Sequence, residues 1–169
     1  MPTFLVTQLR FVRSKWLEGL ADVSAEDATT EIAPMNTISW MIAHLTSHER
    51  YMWVQMAQGR DDIAPEMAGY LWGTPRANPP LQMVWDGWHT VTQTADVYLD
   101  AITEESLLTK PLWQGRQFSE TIGNLLLRNI YHYWYHLGEA QSVRQMLGHS
   151  DLPPFVGSMP LEFQFVDQG

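Results

Sequence analysis

An all-α four-helix bundle is the fold class this sequence predicts, on three observations. Four segments, spanning about 3–20, 36–57, 80–102 and 119–147, repeat apolar residues with the 3.6-residue period of an amphipathic helix. Residues that cap or stop helices stand near the ends of those segments. Runs with the two-residue alternation of a half-buried strand are few and short, so little or no sheet is expected.

In the first segment Leu5, Leu9, Val12, Trp16 and Leu20 share one stripe. In the second, Asn36 is the expected N-cap and Ile38, Met41, Ile42, Leu45, Met52 and Met56 form the apolar face. Pro79 and Pro80 suit the start of the third, where Leu81, Val84, Trp85, Trp88, Ala95, Leu99 and Ile102 line one side. Ser119 is the expected cap of the fourth, and Gly148 supplies its stop. The connection over 21–35 is acidic and small-residue-rich and ends near Pro34. That over 59–78 holds three Gly and two Pro and is long for a bundle, a length often associated with functional loops. A short hairpin or turn is expected around Gln114-Gly115-Arg116. The tail from His149 contains Pro153, Pro154 and Pro160, so it cannot continue the helix. Its Phe155, Phe163 and Phe165 suggest that it packs back on the body. The expected organisation is one domain over 1–169, with a helical body at about 4–148 and the tail at 149–169.

Composition narrows the function. The chain has no cysteine, which excludes a thiolate nucleophile, a redox dithiol and Cys-ligated zinc. Ten basic against nineteen acidic residues give a net charge of −9. The basic residues are scattered, so DNA, RNA and anionic membrane surfaces are poor partners. The N-terminal apolar run is too short for a signal peptide, and no stretch reaches the length of a spanning helix. With the missing cysteines, this leads to the expectation of a cytoplasmic protein.

The six histidines are the informative residues. Two pairs are spaced i, i+4: His44/His48 and His132/His136. That spacing places both imidazoles on one helix face, where they can hold one metal ion at about 2.0–2.1 Å each. His132 and His136 fall beside Leu125, Asn129, Ala140, Val143 and Leu147, the centre of the fourth segment's stripe, so both are expected to point into the bundle. On spacing alone the alternative stays open, that they are buried groups hydrogen-bonded to Tyr131, Tyr133 or Tyr135. No Glu stands in the metalloprotease position of the pair. On the helical wheel His48 lies slightly nearer the apolar centre of the second segment than His44. His89 falls well outside the third segment's stripe and reads as a surface residue, and His149 as a loop residue.

The fourth segment opens with Ser119-Glu120-Thr121-Ile122-Gly123-Asn124 and continues through His132-Tyr133-Trp134-Tyr135-His136-Leu137-Gly138-Glu139 to Val143-Arg144-Gln145-Met146-Leu147-Gly148. The second carries Ile38-Ser39-Trp40-Met41-Ile42-Ala43-His44-Leu45, with Glu49 five residues beyond His44. Over roughly 4–148 these resemble the DinB-like superfamily, which includes bacillithiol- and mycothiol-dependent S-transferases. The resemblance implies a four-helix bundle with a divalent metal held by three His. One comes from the second helix, in a segment ending His-Leu-x-x-x-Glu, and two from the fourth, in His-x-x-x-His followed by x-Gly-Gln/Glu. The matching residues are His44, His132 and His136. The resemblance thus favours His44 over His48, against the wheel, because Leu45 and Glu49 both fall in register; His48 becomes a residue beside the ligands. The common Gln of the family is Glu139 here, which changes the charge beside the ligands.

Three His with an open fourth position describe a catalytic metal site. Such a metal lowers the pKa of a bound water to about 7 and acts likewise on a thiol. With no cysteine in the chain, the sulfur must come from an external low-molecular-weight thiol. Zinc is the default metal, and imidazole also suits nickel, iron or manganese. The function implied is a metal-dependent thiol S-transferase in small-molecule detoxification. Its alternatives are a non-enzymatic metal- or small-ligand-binding bundle, and a metal-assisted hydrolase with Glu49 or Glu139 as base. The expected pocket wall is Trp40, Tyr51, Trp134 and Trp72. A homodimer is admitted, since relatives often pair through helix faces.

Overall fold

The computed structural model describes residues 2–74, 77–154, 160 and 163–164. Four long helical segments form the body: α1 (Phe4–Leu20), α3 (Ile38–Glu49), α4 (Leu81–Leu99) and α6 (Ile122–Met146). Short α2 (Ala25–Thr29) lies in the first connection and α5 (Glu104–Leu107) follows α4. The expected hairpin is present as β1 (Leu112–Trp113) and β2 (Arg116–Gln117), paired antiparallel. Its turn residues Gln114 and Gly115 both have positive φ, 50° and 75°, the backbone signs of a two-residue I′ turn. The chain is thus predominantly helical, with a two-stranded sheet as its minor element.

Packing follows the apolar stripes. α1 lies on α6, and α3 lies on both α4 and α6. Leu9, Val12 and Trp16 of α1, Met41, Ile42 and Leu45 of α3, Val91, Ala95 and Leu99 of α4, and Leu126, Leu137 and Val143 of α6 are all fully or almost fully buried in one core. Burial of such side chains contributes about 1.5–3 kcal/mol each. At Gly87 α4 comes close to the 59–78 connection: an added Cβ would stand 2.8 Å from Cγ of buried Met67.

Two helix starts differ from the sequence expectation. α3 is capped by Thr37, whose hydroxyl accepts the Trp40 N–H at 3.3 Å; Asn36 is engaged elsewhere. α6 is capped by Thr121, whose hydroxyl accepts from Asn124 at 3.2 Å, rather than by Ser119. In each case a hydroxyl just ahead of the first turn captures an otherwise unpaired N–H. Gly148, at φ 92°, follows the end of α6 as expected.

Beyond Glu49 the helix continues as π-helical turns over Arg50–Met56. Here the buried Arg50 reaches out and ties down the long connection: its guanidinium donates to the Ile63 carbonyl at 2.7 Å and the Asp61 carbonyl at 2.6 Å. That connection then forms a 3₁₀ turn, Pro65–Tyr70. In the tail, the Phe163 ring lies 4.7 Å from that of Phe11, and Gln8 donates to the Phe163 carbonyl at 2.6 Å. Phe155 and Phe165 lie outside the described residues. Among the described residues no helix is long and apolar enough to cross a membrane.

Candidate metal centre

α3 and α6 bring four imidazoles together in the bundle. His132 and His136 are one turn apart on α6, and their Nε2 atoms stand 3.0 Å from each other. His44 of α3 faces both, with ring centroids 5.0 Å from His132 and 5.2 Å from His136. Ligand atoms of His44, His132 and His136 all lie within 4.8 Å of one another, so these three can hold one ion. His48 stands beside them, its ring 4.6 Å from His132 and 4.7 Å from His44. Of the two α3 histidines it is His44, favoured by the resemblance, that falls with the α6 pair in a group able to hold an ion; the wheel preferred His48.

Each of two rings is oriented through its other nitrogen. His44 Nδ1 lies 2.6 Å from the Tyr70 carbonyl oxygen, an acceptor, so Nδ1 carries the proton and Nε2 is left with its lone pair. His136 Nδ1 donates to Glu139 Oε2 at 2.7 Å, which fixes the same tautomer. The other Glu139 oxygen accepts from Asn36 Nδ2 at 3.1 Å. Partial burial works against the Glu139 charge, but the His136 and Asn36 contacts outweigh it and hold the carboxyl below its usual range. Carbonyl and carboxylate partners of this kind set ring orientation and raise ligand basicity at metal sites.

Burial pushes His44, His48 and His132 toward the neutral form, His48 to about 4. The neighbouring imidazoles reinforce this in all three, as does the Arg128 guanidinium in His48 and His132. Neutral imidazole is the form that ligates metal. His136 Nε2, left with its lone pair, stands 3.0 Å from His132 Nε2, and two ligands on one ion at about 2.0–2.1 Å stand about 3–3.4 Å apart. The donor set therefore fits a divalent ion of the zinc, nickel, iron or manganese type. Trp40 stacks on His44 with ring centroids 4.5 Å apart, walling one side.

Beneath the histidines runs a buried polar chain that sequence reasoning did not assemble. Glu49 is fully buried and takes a bidentate contact from Arg13, itself only 4% exposed. Glu49 Oε1 also accepts from the Tyr133 hydroxyl at 2.6 Å, and that hydroxyl accepts from Trp88 Nε1 at 2.8 Å. Burial opposes the Arg13 charge, but the adjacent Glu49 carboxylate outweighs it and raises the guanidinium pKa. Glu49 thus ties α3 to α1 and α6 and is committed to that role. Glu139 is likewise committed to His136 and Asn36. Glu49 and Glu139, the two bases that the hydrolase alternative named, are both engaged in these contacts. Asn129, one turn before Tyr133, accepts from Trp53 Nε1 at 2.7 Å in the same layer.

An open cleft of about 420 Å³ adjoins the cluster on the His48 side. Tyr51 and Trp72 line it as expected. Trp134 does not belong to the wall: its ring lies against Phe11, 6.2 Å away, on the α1 side of α6. Phe118, Glu120 and Arg128 line the cleft without having been anticipated. His89 is exposed and His149 accepts from Arg144 at 3.0 Å, both apart from the centre.

The sequence model of the DinB superfamily matches residues 8–140, from the first turns of α1 to the helical turn after His136. No curated protein matches the chain.

Proposed function

The chain belongs to the DinB superfamily, and from that premise we propose that it is a divalent-metal-dependent S-transferase that joins an external low-molecular-weight thiol to an electrophilic small molecule. The observation that carries this reading is the convergence of His44, His132 and His136, two of them oriented through Nδ1, in a chain without cysteine. These three residues would hold the ion, with His48 outside its ligand set. When bound, the metal supplies an open coordination position that lowers the pKa of a thiol.

The chain's own residues do the rest. Tyr70 and Glu139 keep the imidazole lone pairs aimed at one point. Trp40 shields one side of that point, and the adjoining cleft admits the second reactant. In the overall reaction a sulfur–carbon bond forms, the leaving group departs with its bonding electrons, and the thiol proton passes to solvent. A homodimer and a cytoplasmic setting complete the proposal. Exposed Tyr131 and Tyr135, one turn apart on the outer face of α6, offer an apolar strip for pairing.

Cobalt-substituted protein tests the reading. Titration with low-molecular-weight thiols should raise a near-ultraviolet sulfur-to-cobalt charge-transfer band, and thiol conjugates of model electrophiles should appear by mass spectrometry. Absence of both would leave the hydrolase and binding-bundle alternatives.

A further inference from the structure

The cleft beside the histidines has its own chemistry. Met52, Leu71, Trp72, Phe118 and Leu125 make its walls largely apolar, which ill suits a polyhydroxylated thiol carrier and suits a flat hydrocarbon surface. Trp72 is 89% exposed, leaving an indole face uncovered at the lip. Among the described residues the cation lining the cleft is Arg128, on α6 one turn before His132, a separation of about 6 Å along the axis. Its guanidinium is held by Glu120 on the segment leading into α6. The Arg128 side chain is 59% exposed and that of Glu120 27%, so solvent screens the pair from the Arg128 side and an incoming anion can compete with Glu120 for the guanidinium. At the inner end His48 abuts His132.

We infer that the electrophile is a small aryl molecule, of about one ring, bearing a carboxylate or sulfonate. Its anion pairs with Arg128, its ring lies among Trp72, Phe118 and Leu125, and its reactive carbon points past His48 to the histidine cluster. Glu120 acts as the resident anion that the substrate displaces. The inference rests on the transferase reading for the fate of the bound molecule, while the recognition itself is a matter of this cleft alone.

Equilibrium binding tests it without turnover. Isothermal titration of zinc-loaded protein, with no thiol present, is carried out with 4-chloro-3-nitrobenzoate and with its neutral amide. The carboxylate should bind about tenfold more tightly than the amide, as expected for one charge-assisted guanidinium contact. R128Q should abolish that preference while leaving amide affinity in place. E120Q should tighten the carboxylate and not the amide, the opposite sign to R128Q. W72A should weaken both ligands. Circular dichroism of these surface variants confirms that each is folded. Binding of neither probe, equal binding of both, or a preference that survives R128Q would overturn the inference. A cobalt–thiol band with no carboxylate preference would sink this cleft assignment alone. A carboxylate preference with no thiol band and no conjugate would sink the transferase reading instead.

Discussion

Replacing Glu139 should weaken metal binding, although none of the three proposed ligands is changed. Its Oε2 accepts the His136 Nδ1 proton at 2.7 Å, and its Oε1 is anchored by Asn36 at 3.1 Å. The carboxylate therefore does two things: it fixes the ring so that Nε2 faces the Nε2 of His132, and it raises the basicity of that nitrogen. Loss of such a partner costs about 10–100-fold in metal affinity, or about 1.4–2.7 kcal/mol. E139Q keeps an acceptor oxygen in place and loses the charge, so its zinc affinity should fall about tenfold. E139A removes the acceptor altogether and frees Asn36, so its loss should approach a hundredfold. Competition against a chromophoric chelator reads both constants. E139A within twofold of the unmodified protein, or E139Q weaker than E139A, would refute the reasoning.

Three further outcomes follow from the buried polar layer and from the end of α6. E49L leaves the buried Arg13 guanidinium with the partly exposed Asp96, 2.8 Å away, as its remaining carboxylate partner and should destabilise the fold by about 3 kcal/mol, the low end for a broken buried pair, in urea unfolding. Y133F removes a donor to Glu49 and an acceptor for Trp88, so it should lose about 1–3 kcal/mol in the same assay while retaining stoichiometric metal. G148A places a Cβ at φ 92° and should lower stability by about 1–2 kcal/mol with the site intact, read as a fall in the midpoint of thermal unfolding.

The helices were legible because a one-sided apolar stripe is a local signal that burial then enforces. Their starts were less so: Asn36 and Thr37 both have capping chemistry, and the choice fell to Thr37 because Asn36 is drawn to Glu139 across 103 residues of sequence. The α6 pair of histidines was visible in the i, i+4 spacing and their place on the stripe. Choosing between His44 and His48 needed the neighbouring Leu45 and Glu49, since both rings lie in a broad apolar arc and both end beside His132. The Tyr70 carbonyl that orients His44 has no sequence signal, because backbone groups acquire a role only once the 3₁₀ turn packs against α3. The same holds for Glu49: its register was plain, but its partners Arg13 and Tyr133 lie 36 and 84 residues away. Trp134 misled because adjacency to His132 and His136 in sequence is not adjacency in space; a neighbouring helical position points about 100° away, here toward Phe11.

Metal stoichiometry of the purified protein and its histidine variants tests the central claim most directly. Elemental analysis after dialysis should find one divalent ion per chain. H44A, H132A and H136A should each lose it, while H48A should keep it. A protein that holds no ion after zinc is supplied, or one in which H48A loses the ion and H44A retains it, would contradict the three-histidine centre.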